Sequence, residues 1–175
     1  MVRLKQRYIL FDILYPPSVE SSESAEFSVS ESSALLTLHQ TSPASINHRT
    51  LVHAIRKSIQ EHYGDFGAGS AGLSVSIKYF SNKTSTGIIR CGRSTFHTVI
   101  GALSLIDSIE GNQLIIRCIH VSGTIKKCEE YSIRRSRDLM RLISKDTTRK
   151  KEEYVNSLDL QADEFETVEP DLDMD

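Results

Sequence analysis

Along this chain apolar and polar residues alternate with period two in some stretches and recur at helical spacing in others, and their order sets the expected fold. In LSVSIKYFSNKTSTGIIRCGR, residues 73–93, two β-branched runs flank a polar turn, Ser81–Thr86. Leu73, Val75, Ile77 and Tyr79 fall on one face of the first run, and Ser74, Ser76, Lys78 and Phe80 on the other. Such alternation predicts a half-buried strand, and a Ser/Thr/Asn-rich loop between two such runs predicts a hairpin. The second run, Gly87–Cys91, sets Ile88 and Arg90 against Ile89 and Cys91, so a cation lies within a strand.

VRLKQRYILFDILY, residues 2–15, reads as a further strand. Arg3, Lys5 and Arg7 share a face that continues into Ile9, Phe11 and Ile13, while Leu4, Tyr8, Leu10 and Leu14 take the other. Cationic at its start and apolar on both faces later, it is expected to run from an exposed edge into the middle of a sheet. Pro16-Pro17 ends it. Residues 18–45 are dense in Ser and Glu with an apolar cluster at Leu35, Leu36 and Leu38, which predicts a mostly irregular insert. Between Ser45 and Tyr63, Leu51, Ile55 and Ile59 recur at helical spacing, with Gly64 as the stop. A second helix is expected from a Ser94 or Thr95 cap to about Ile109, burying Phe96, Ile100, Leu103 and Ile106. Leu114–Val121 completes the set as a fourth strand.

Strand–helix–strand–strand–helix–strand is the order of an α+β, ferredoxin-like βαββαβ unit, an antiparallel sheet with both helices on one face. A basic C-terminal helix is expected to follow, to about Lys145, placing Lys127, Arg134, Arg141 and Lys145 on one side. Its apolar positions Cys128, Tyr131, Leu139, Leu142 and Ile143 are expected to meet the body. Residues 1–151 are read as one domain and residues 152–175 as a disordered acidic tail.

Charge sharpens this picture. The formal net charge of −2 conceals a segregation: residues 152–175 hold ten of the 23 acids and no Lys or Arg. All 21 basic residues therefore share residues 1–151 with the other 13 acids, a balance of +8. Four of those acids (Glu20, Glu23, Glu26, Glu31) lie in the insert, which brings the body near +12. A basic body with an acidic tail predicts a surface for polyanions. Met1–Tyr15 contains no unbroken apolar segment of signal-peptide length, and no run approaches the ~20 apolar residues of a membrane span. An intracellular, soluble protein without a membrane partner is expected. Cys91, Cys118 and Cys128 form no CxxC pair and are expected reduced in or near the core.

Candidate chemistry concentrates in Ser122-Gly123-Thr124-Ile125-Lys126-Lys127. Glycine admits close backbone approach, the hydroxyls donate hydrogen bonds and the lysines supply charge, a combination suited to a phosphate backbone. A capped helix start explains the same residues. The GxGxxG at Gly67, Gly69 and Gly72 follows a helix and enters a strand, the reverse of a phosphate-cradling loop, and is read as a turn. His48, His53 and His62 have no metal-ligand spacing and are read as surface residues, so no metal ligand is assigned. Paired carboxylates and an activated nucleophile at usable spacing are missing too, so no catalytic residue is assigned.

Three blocks in order, MVRLKQRYILFDI, YFSNKTSTGIIRC and HVSGTIKKCEEYSIRR, resemble the ribonuclease P and ribonuclease MRP protein-subunit family called processing-of-precursors subunit five, in a fungal-type form. The likeness covers roughly residues 1–15 and 46–145. It implies a ferredoxin-like fold related to the RNA-recognition motif, although TGIIRC offers no ring to stack a base. It implies a non-catalytic subunit, with RNA and its Mg2+ as the catalyst and no cofactor on the protein itself. Implied partners are ribonuclease P RNA and MRP RNA, a TIM-barrel-like protein subunit forming a heterodimer, and the other proteins of the particles. Precursor tRNA is then the substrate of the particle, ribosomal-RNA processing a second task, and the nucleus and nucleolus the expected location. The expected RNA-contacting set is Arg3, Lys5, Arg7, Arg90, Arg93, Ser122, Gly123, Thr124, Lys126, Lys127, Arg134 and Arg135. A free-standing RNA-binding adaptor is the alternative. A small-molecule enzyme of acylphosphatase type would need an anion-cradling loop with an Arg after the first strand, where this chain has Pro16-Pro17-Ser18-Val19-Glu20.

Overall fold

A computed structural model describes residues 5–17 and 30–166, the last of these, 146–166, as backbone alone. Strand β1 (Gln6–Leu14) is followed by helices α1 (Glu31–Leu38) and α2 (His48–Gly67), then the hairpin β2 (Ser76–Ser81) and β3 (Thr86–Gly92). Helix α3 (Phe96–Ser104), the two-residue strands β4 (Ser108–Ile109) and β5 (Asn112–Gln113), strand β6 (Ile115–Ser122) and helix α4 (Ile125–Glu166) complete it. The main sheet has the order β2-β3-β1-β6 with antiparallel neighbours throughout. This is the ferredoxin-like arrangement expected from the element order, with β1 and β3 at its centre.

Alternation decides which side chains enter the core. Ile9, Phe11 and Ile13 of β1 and Ile89 and Cys91 of β3 join one buried cluster with Leu51, Ile55 and Ile59 of α2 and Val99, Ala102 and Leu103 of α3. Both helices thus cover one face. α2 starts where Asn47 Oδ1 accepts from the Arg49 and Thr50 amides at 2.8 and 3.2 Å, with Thr50 Oγ1 accepting in return from the Asn47 amide at 2.8 Å. That reciprocal capping satisfies amides a helix start otherwise leaves open. Gly64 kinks α2 at φ 61° without stopping it.

Four expectations are corrected. The insert is not irregular throughout: Ser30 caps α1, its Oγ accepting from the Ser33 amide at 3.2 Å. The segment after α1 is tied down, with Ser42 Oγ donating to Ser85 Oγ at 2.9 Å and Ser85 Oγ donating to Gln40 O at 2.6 Å. In β2 a bulge between Ile77 and Tyr79 reverses the alternation, so Phe80 packs in the core and Tyr79 is half exposed. An extra residue in one strand moves every later side chain to the opposite face. α3 ends at Ser104, and Ile109 lies in the β4–β5 ribbon, whose turn uses Glu110 (φ 50°) and Gly111 (φ 78°). α4 runs past Lys145 to Glu166, and residues 167–175 lie outside the described residues.

The first turns of α4 serve the other sheet face, where Cys128 is buried with Leu10 and Ile88 against Tyr8, Ile119, Ile125 and Tyr131. Further along, Leu142 and Met140 are exposed. The chain divides into two compact units, Met1–Arg134 and Arg135–Asp175. Among the described residues no helix is long and apolar enough to cross a membrane.

Candidate nucleic-acid interface

β1 begins where β3 and β6 end, because antiparallel register sets Gln6 beside Gly92 and Tyr8 beside Ser122. At that end of the sheet the Arg93 amide donates to Lys5 O at 3.0 Å, which holds two cationic residues side by side. Arg7 Nη1 donates to Gln6 O at 3.3 Å and lies 3.5 Å from where a side chain on Gly123 would begin. Lys126 and Lys127 follow on the first turn of α4, both exposed. Lys5, Arg7, Arg93, Gly123, Thr124 and the two lysines are therefore gathered from three segments, the first and last of them more than a hundred positions apart.

Other members of the expected set stand apart. Arg3 lies outside the described residues. Ser122 is buried, and its Oγ accepts from the Thr124 amide at 3.4 Å, so that hydroxyl serves the entry into α4. Arg134 is exposed with its guanidinium 5.3 Å from the Tyr131 ring centroid, while Arg135 begins the second unit. Arg90 is on the face opposite Arg7. Its neighbours Ile89 and Cys91 face the helices, whereas Arg90 and Ile88 face away. Lys126 is shared with Glu130 at 4.0 Å, an exposed pair worth at most ~0.5 kcal/mol and easily exchanged for another anion.

Gly123 is informative because nothing in the chain demands it. Its φ is not positive, and an added Cβ would meet Arg7 Nη1 at ordinary contact distance. By contrast, a Cβ on Gly87 would stand 2.6 Å from Phe11 Cε1 and 2.9 Å from Tyr79 O. Gly87 is explained by packing, whereas at Gly123 neither the backbone angle nor a close neighbour among the described residues requires a glycine.

The sheet face away from α2 and α3 carries polar chemistry that sequence reading missed. Asp12 is buried, and Arg117 grips it through Nε–Oδ1 at 3.1 Å and Nη2–Oδ2 at 2.6 Å. His39 Nε2 stands 3.7 Å from the same carboxylate. The hydrogen bond to Asp12 pushes the Arg117 pKa further up, so it stays charged. Tyr131 stacks on His120 at 4.5 Å between centroids and 3° between planes. Beside the β2 edge an open groove of about 480 Å³ is lined by His48, Arg49, His53 and Arg56 of α2. Alternation alone assigns β2 too many core residues, and it carries no signal for the Asp12–Arg117 pair.

The cysteines supply no nucleophile. Burial pushes the Cys91 thiol up to about 11, partly opposed by Arg7, and burial also raises Cys118 and Cys128. Among the described residues no three His, Cys, Asp or Glu side chains group to hold a metal ion. The cationic sheet end suits electrostatic binding of an extended anion.

Sheet order and surface together define a ferredoxin-like α+β protein with a cationic sheet end. The chain belongs to the Rpp14/Pop5 family, whose model matches residues 7–133. It is similar to the ribonuclease P/MRP protein subunit POP5 of Saccharomyces cerevisiae, 44% identical over 144 residues that cover 82% of each chain. The subunit of that name from Schizosaccharomyces pombe is 40% identical over 144 residues, 82% of this chain and 94% of that one. A chain in a cryo-EM structure of yeast ribonuclease MRP is similar at TM-score 0.43 and 14% identity, covering 78% of this chain and 98% of that chain.

Proposed function

We propose that this protein is a non-catalytic subunit of ribonuclease P and ribonuclease MRP, binding and stabilising the RNA that carries out cleavage. The observation that carries the reading is the convergence of Lys5, Arg7, Arg93, Gly123, Lys126 and Lys127 at one end of the sheet, in a chain of the Rpp14/Pop5 family. Cations brought together around a replaceable glycine suit a phosphate backbone approaching the main chain closely. The RNA supplies the magnesium sites. Removal of 5′ leaders from precursor tRNA and ribosomal-RNA processing are then activities of the particles, in the nucleus and nucleolus. A TIM-barrel-like subunit of the same particles is the expected heterodimer partner. Affinity purification of a tagged chain tests this directly. Co-isolation of a long, structured RNA with several basic proteins is the expected result. Recovery of the chain with assorted short RNAs and no fixed protein set would overturn it in favour of a free-standing adaptor.

A further inference from the structure

The sheet face away from α2 and α3 holds a guanidinium whose Nε has no hydrogen-bond partner among the described residues. Arg90 is half-buried, its Nε is shielded from solvent, and among the described residues it has no hydrogen-bond partner. Its register neighbour on β2, Ser76, has a side-chain oxygen in the same condition. On the other side of Arg90 in register is Tyr8, and beyond Tyr8 is Ser122. Ser76, Arg90, Tyr8 and Ser122 thus form a row across all four strands, a row of hydroxyls and one cation without a carboxylate. Buried polar atoms are nearly always paired, so two orphans side by side on adjacent strands call for a third party.

We propose that Arg90 and Ser76 form a seat for one phosphate of the RNA backbone. The proposal rests on the RNA-binding reading above and assigns it a place on the face opposite Arg7. A phosphate matches the Arg fork, taking two parallel N–H bonds from one edge of the guanidinium. Ser76, the register neighbour of Arg90 on β2, offers its hydroxyl to the same phosphate. The surroundings favour RNA over an acidic protein segment. Asp12, the acid of this sheet face, is already gripped by Arg117. Stacked Tyr131 and His120, Arg134 over Tyr131, and half-exposed Tyr79 add rings and charge. RNA brings stackable bases along with its phosphates, which a run of carboxylates does not.

The test uses the full chain and in vitro-transcribed ribonuclease P RNA, with binding measured over a salt series and folding checked by thermal melting. Arg90→Gln should weaken binding about tenfold and lower the log–log salt slope by about one, as expected for one lost phosphate contact. Arg90→Lys should weaken binding while keeping the slope, since the charge remains and the fork is lost. Ser76→Ala should raise the melting temperature of the free protein, by removing an orphan, and still weaken binding. If Arg90→Gln does not fold, Arg90→Lys and Ser76→Ala decide. Unchanged affinity in the folded Arg90 and Ser76 variants, while Lys126→Ala/Lys127→Ala weakens binding, would overturn the seat and leave the RNA reading standing. Unchanged affinity in all of them would overturn both.

Discussion

The two faces of one sheet have been given opposite tasks. On the helix side, Ile9, Phe11, Ile13, Ile89 and Cys91 meet α2 and α3, and the cluster holds no charge. On the other side, the same strands present Asp12 with Arg117, the orphaned Arg90 and Ser76, and only a small apolar patch under the start of α4. Burial of apolar area is the dominant favourable term in folding, at about 25 cal/mol per Å², so the first face accounts for most of the stability. Unpaired buried polar atoms work against folding. Among the described residues such atoms occur at Arg90 and Ser76, where a bound partner would offset their cost.

The sharpest way to break the contrast is to empty the first face. Phe11 is fully buried and lies parallel to Phe80, 6.3 Å between ring centroids. Phe11→Ala should destabilise the protein by about 3–5 kcal/mol in urea unfolding, and the fraction that remains folded should bind RNA with unchanged salt slope. Loss of slope in that folded fraction would mean the two faces are not separable. The second face contains one feature that should behave like core. Arg117→Met leaves the Asp12 carboxylate buried without its guanidinium, and should cost about 3 kcal/mol by the same measurement. The loss should shrink at acid pH, where the carboxylate of the variant takes up a proton. A loss independent of pH would show that Arg117 matters for packing rather than charge.

How much of this was legible beforehand follows from the range of each interaction. Alternation is local, so the faces of β1 and β3 could be read, including the placement of Arg90 opposite Cys91. One bulge was enough to invert β2, because the sequence around Lys78 has nothing to mark it. The α1 helix escaped notice since its apolar residues are few, and what holds the segment beyond it, Ser42 on Ser85, spans 43 positions. The Asp12–Arg117 grip spans 105 positions and joins residues that look unrelated in the chain. The cationic end was half legible. Lys5, Arg7, Gly123, Lys126 and Lys127 could be nominated from composition, but only the sheet register brings them together and sends Arg90 to the far side. The end of α4 was not legible, because the density of acids from Glu152 onward pointed to a tail, although α-helix runs on through Val155, Leu158 and Leu160 to Glu166.

One substitution made at two glycines separates the packed core from the cationic sheet end with the least disturbance. Gly87→Ala would press a methyl group into the Phe11 ring and the Tyr79 carbonyl, and should cost about 1–3 kcal/mol while leaving RNA affinity alone. Gly123→Ala meets only the end of a flexible Arg7 side chain, at 3.5 Å, with no positive φ to strain. Its effect on unfolding should stay within about 0.5 kcal/mol. The same methyl group should nonetheless weaken RNA binding, and Gly123→Val should weaken it further, because each holds a phosphate backbone away from the main chain. The salt slope should hardly change, since no cation has been removed. This combination, stability intact, slope intact and affinity reduced, is the signature of close approach at a glycine. If both variants bind as the parent does, Gly123 is a mere turn residue, and the contact belongs to the lysines of α4 alone.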